Sequence, residues 1–124
     1  MGARVNFVFK TEDNMPNIVL YSHWGETSWR EDLAMAINAA QPRLKIGDIS
    51  YATRIMFDQL TRDGRDSETG YGIFLATDEE LQEGMFDLPI HIDMTKQLVN
   101  DDGSWHTFDS FVSYQQEVME YHSV

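Results

Sequence analysis

Cysteine is absent from the 124-residue chain. That excludes a disulfide framework, a thiolate metal site and a thiol nucleophile, so stability must come from packing. Positive charge is scarce: nine Lys and Arg stand against 21 Asp and Glu, a formal net charge of -12. Such a surface repels nucleic-acid phosphate and anionic membrane wherever salt leaves the field unscreened, which argues against direct nucleic acid binding. No apolar run reaches the length of a membrane span, and no basic segment leading into an apolar stretch opens the sequence. The expectation is a cytoplasmic protein without membrane attachment. GxSxG, Walker, GxGxxG and HExxH signatures are all missing, and Asp63, Asp66 and Glu68 lack EF-hand spacing. Enzyme classes that announce themselves by motif, and the cofactors that go with them, are therefore unsupported.

Hydrophobic residues make up 42% and aromatic residues 12%, the usage of a chain that folds on its own. At this length one domain, residues 1–124, is the expectation. Val5, Phe7 and Phe9 alternate with their neighbours, and so do Ile18, Leu20, Ser22 and Trp24. Both segments read as strands, joined as a hairpin through the turn-rich residues 12–16. Ser28 and Glu31 fit a capping box ahead of a helix carrying Leu33, Ala36, Ile37 and Ala40, with Pro42 as its stop. A second helix is predicted from Asp48 or Ser50, with Ala52, Met56 and Leu60 on one side and Gly64 ending it.

Residues 71–76 alternate as a third strand, and the acidic residues 78–84 read as a connection or short helical turn. Phe86, Leu88, Ile90 and Ile92 predict a further strand, placed at an edge or bulge by Pro89. A hairpin through Asp101-Asp102-Gly103 follows, then a final helix with Phe108, Phe111, Val112, Gln115, Val118 and Met119 in one stripe. The order is roughly ββααβββα. It implies an α+β fold, a small antiparallel sheet with helices packed on one face.

Three segments, Leu20-Tyr21-Ser22-His23-Trp24-Gly25, Tyr51-Ala52-Thr53-Arg54-Ile55 and Thr69-Gly70-Tyr71-Gly72-Ile73, resemble a group of small uncharacterised proteins of bacteria and their phages. The group shares an LYxHWG strand end, a YxARI helix and a TGYGI strand start. It brings no established activity, and so no catalytic residue or cofactor. What the resemblance implies is a phage-type accessory role, counter-defence among the possibilities, exercised by binding rather than by catalysis.

Three groupings carry candidate chemistry. His23, Trp24, Arg54 and Tyr71 offer aromatic faces and one cation, which suits an anionic nucleotide-like ligand: rings stack on a base and Arg pairs with phosphate. The plainer alternatives are Trp24 in the core and Arg54 paired with Asp58. His23, His91 and Asp93 have the donor types of a zinc site, and with them a metal-dependent hydrolase, although no short-spaced motif holds them together. The run Asp78-Glu79-Glu80, with Glu83 and Asp87 beyond, can imitate a phosphate track. It suggests an acidic protein inhibitor, or nucleic-acid mimic, of a basic host protein. The expected partner is thus a small anionic ligand or a basic host protein.

Overall fold

The computed structural model describes residues 4–23, 25, 28–84 and 86–123, with side chains through residue 119. Trp24 lies outside the described residues. Strands β1 (Val5–Lys10) and β2 (Asn17–Ser22) form the expected antiparallel hairpin, with Phe7 opposite Leu20. Helices α1 (Trp29–Leu44) and α2 (Ile49–Leu60) follow, and β3 (Tyr71–Ala76) returns antiparallel to β2. A short α3 (Asp78–Gln82) leads to β4 (Pro89–Asp93), which runs parallel to β1. Strands β5 (Leu98–Asp101) and β6 (Ser104–Thr107) complete the sheet, and α4 (Phe108–Ser123) ends the chain. The strand order is β3-β2-β1-β4-β5-β6. The fold is α+β, and its sheet is antiparallel except at the β1–β4 pair.

Strand alternation sorts the side chains onto two faces. Val5, Phe7, Phe9, Leu20, Ile90, Ile92 and Val99 are buried against α1, α2 and α4 in one cluster that also holds Leu33, Ile37, Met56, Phe108 and Phe111. Trp29 of α1 stacks on Phe111 of α4, with ring centroids 6.2 Å apart. The opposite face carries a smaller cluster, Val8, Val19, Ala76 and Leu81, so α3 covers only part of it.

Several local expectations need correction. Ser28 makes no side-chain cap to α1; its hydroxyl donates instead to Asp32 Oδ2 at 3.1 Å. Pro42 does not stop α1, which runs to Leu44. Pro42 supplies no N–H to the preceding turn, yet the helix continues to Leu44, whose carbonyl accepts from Gly47 N–H and from the Gln97 side-chain amide. Gly47, at φ +73°, makes the left-handed turn before α2. Asp48 is the N-cap of α2, its carboxylate accepting from Tyr51 N–H. Gly64 is not left-handed; Thr61 and Arg65 donate to the Phe57 and Asp58 carbonyls in the last turn of α2. Strand β4 begins at Pro89 rather than Phe86 and lies inside the sheet. Proline is tolerated there as first residue, with the preceding carbonyl, that of Leu88, accepting from Asn6 N–H.

The β5–β6 turn has positive φ at both Asp102 and Gly103, the geometry a two-residue hairpin loop requires.

Candidate functional site

The face of the sheet that α3 only partly covers holds a groove of about 470 Å³. Its floor follows from alternation and register: Val8 stands opposite His91, Lys10 opposite Asp93, and Asp93 opposite Leu98. Trp105 of β6, in register with Asn100 of β5, closes one side, and Asp78 at the start of α3 closes another. Asn17 holds that wall by donating to Asp78 Oδ1 at 2.8 Å and to the Ala76 carbonyl at 3.2 Å. The helix itself is set by a reciprocal box between Thr77 and Glu80.

Each polar group here has a distinct state. Burial pushes the His91 imidazole below its ordinary pKa, outweighing the opposing pull of Asp78, so it is neutral at neutral pH. Burial acts in the other direction on Asp93 but is outweighed: the Thr95 hydroxyl, the Lys96 and Thr95 N–H groups and the charge of Lys10 together hold its carboxyl below the usual range. Oδ1 of Asp93 accepts all three of those hydrogen bonds, at 2.6, 3.0 and 3.0 Å. Asp93 thereby sets the turn that presents Lys96. Lys10 reaches Asp13 at 3.7 Å, whereas among the described residues no carboxylate lies within ion-pair distance of Lys96. Trp105 remains 52% exposed and lines the same groove as Lys10 and Lys96.

The residues singled out from the sequence are distributed differently. His23 lies just past β2, its Nδ1 3.0 Å from the Tyr21 hydroxyl, and its N–H donates to the Gly70 carbonyl. Tyr71 is in register with Ser22, packs on the helix-side core and lines a second cavity of about 320 Å³ with Asp32, Arg62 and Asp63. Burial, then the carboxylates of Asp63 and Asp32, push its phenol pKa up. Arg54 lies toward the other end of β2, beside a third cavity with Ile18 and Phe57, and its guanidinium meets Asp58 at 2.7 Å. Arg54 and Tyr71 thus belong to different recesses.

His91 and Asp93 do share the groove, but His23 does not join them. Among the described residues no group of three His, Asp or Glu side chains is placed to hold a metal ion. The donor set of a hydrolytic zinc site is therefore not assembled from His23, His91 and Asp93. Lys10, Lys96 and Trp105 escaped the sequence reading. Alternation puts Lys10 on the face of Val8, but only the parallel β1–β4 pairing brings it beside Asp93.

In comparisons with protein-family models, with curated proteins and with solved structures, no match to this chain is found. No described helix is long and apolar enough to cross a membrane.

Proposed function

We propose that this is a non-enzymatic binding protein that takes a small anionic, ring-bearing ligand of the nucleotide class in the groove on the open sheet face. The observation that carries this reading is the convergence of the exposed Trp105 indole with Lys10 and Lys96 in one recess of a chain whose net charge is -12. An indole face stacks on a heterocycle, and ammonium groups pair with phosphate as point charges. Val8 and Leu98 supply an apolar floor, and neutral His91 offers one donor and one acceptor. Sequestration of this kind suits the phage-type accessory role that the resembling sequences imply.

Calorimetry of the full chain against mono-, di- and cyclic nucleotides tests the reading. Binding should appear for at least one of them, and both Trp105→Ala and Lys96→Ala should weaken it at least tenfold. A panel without binding, or binding indifferent to both substitutions, would overturn it.

A second reading, an acidic inhibitor of a basic host protein, draws on α3 and the residue that caps its C-terminus, where Glu79 and Glu83 are exposed. Three further acids of the run, also exposed, already hold partners. Glu80 is engaged in the α3 cap, Asp78 accepts from Asn17, and Asp87 pairs with Arg4 at 3.8 Å. Capture of a basic protein from host lysate, lost in a Glu79→Gln, Glu83→Gln variant and weakened by salt, would support it.

A further inference from the structure

Strand β3 ends the sheet, pairing only with β2. The bond from His23 N–H to the Gly70 carbonyl, at 3.0 Å, sets the parity of that pair. Continued along the register, Gly72, Phe74 and Ala76 exchange bonds with β2, so Ile73 and Leu75 turn their N–H and C=O groups away from β2, to the outer edge. Edge strands are ordinarily guarded by a charge, a proline or a bulge. Residues 71–76 read YGIFLA, with no charge and no proline, and their register with β2 is unbroken. Ile73 and Leu75 are each 65% exposed, on the face of the sheet that holds Ile18.

We propose that β3 is a self-pairing edge, along which two copies of this chain join their sheets antiparallel about a two-fold axis at Phe74. The sequence of the strand is self-complementary in this register. Ile73 meets Leu75 of the second copy, and Leu75 meets its Ile73; these are the residues with outward backbone groups, so the two pairs exchange four backbone hydrogen bonds. Phe74 meets its own counterpart at the intervening non-hydrogen-bonded position, where side chains approach most closely. Phe86, already stacked on Phe74 with centroids 5.3 Å apart, extends that contact to four rings. Gly72 falls opposite Ala76, leaving room beside the rings.

A second copy fits this edge better than the opposite one. Strand β6 reads SWHT, mostly polar, whereas β3 reads YGIFLA; acids lie beyond the ends of both strands. The interface is isologous and closes as a dimer. Because each copy carries -12, added salt strengthens it.

Sedimentation velocity of the full chain over a hundredfold range of concentration tests the proposal. The mass should double as concentration rises, more readily in high salt, while an Ile73→Lys, Leu75→Lys variant stays monomeric at every concentration. A wild-type chain that remains a monomer throughout, or a dimer that survives both lysines, overturns it. Amide hydrogen exchange on the unmodified chain is independent of whether the variant folds. Protection of Ile73 and Leu75 should grow with concentration, while Gly72 and Phe74 are protected at all concentrations; no growth at Ile73 and Leu75 overturns the proposal. The register is read by Phe74→Cys in this otherwise cysteine-free chain. Directly opposed cysteines at a non-hydrogen-bonded pair lie within disulfide reach, so mild oxidation should crosslink that variant, and failure to do so overturns the register.

Discussion

His91 stands directly opposite Val8 across the one parallel pair of the sheet, and this places a half-buried imidazole on the floor of the open-face groove. Burial removes water from it, and the charge of Asp78 only partly offsets the loss. A histidine in that position must be neutral for the fold to be most stable.

The pH dependence follows from that sign. With the folded pKa below the ordinary 6.5, the unfolded chain binds the proton first. The contribution of His91 is therefore complete above about pH 6.5 and is lost as pH falls from there to the folded value. Replacing His91 by Gln should flatten the fall in thermal midpoint between neutral and mildly acidic pH, as measured by circular dichroism. An unchanged slope would show that other groups govern it.

Asp93 is expected to matter more for stability than for ligand contact. Its Oδ1 accepts the Thr95 hydroxyl, Thr95 N–H and Lys96 N–H, and the residue is buried. Asp93→Ala should cost about 2 kcal/mol in urea unfolding, the scale for hydrogen bonds to a charged acceptor. Since the same turn presents Lys96, nucleotide affinity should fall with it. A variant of full stability would show that the turn holds itself.

Arg54 gives the opposite expectation. Its partner Asp58 lies one turn along α2, and both side chains are largely exposed, so Arg54→Ala should change stability by less than about 0.5 kcal/mol. Calorimetry should find nucleotide binding unaltered, because Arg54 lines a different recess from Lys10 and Trp105. Loss of binding in this variant would move the ligand to α2.

The C-terminal helix should be indispensable. Phe108, Phe111 and Val112 are buried in the main core, with Phe111 against Trp29. Burial of each large side chain is worth about 1.5 to 3 kcal/mol, so losing the three approaches the typical stability of a domain, about 5 to 15 kcal/mol. A chain cut after Gly103, which also loses β6, should show no cooperative thermal transition. A soluble fragment with a sharp transition would make α4 an appendage.

The sequence by itself determined the elements and their faces. Period-two alternation in residues 5–10 and 17–22 and the apolar stripe from Phe108 through Gln115 depend only on backbone geometry; the marked Phe7, Phe9, Leu20, Phe108 and Phe111 reach the main core, while the other side of β1 and β2 is buried too, at Asn6, Val8, Asn17 and Val19. It also singled out His91 and Asp93, since both lie on the polar side of β4. Only the tertiary structure decided that β4 inserts beside β1, a parallel pairing between segments some eighty residues apart that no local signal specifies. That insertion placed Pro89 inside the sheet, set Lys10 opposite Asp93 and left His23 out of their groove. The C-terminal end of α1 also takes a distant contact: past Pro42 it runs to Leu44, whose carbonyl accepts from the Gln97 side chain in the β4–β5 turn as well as from Gly47 N–H. Alternation states which way a side chain points along its own strand; which neighbour it finds there is set by strand order, and strand order is a property of the packed whole.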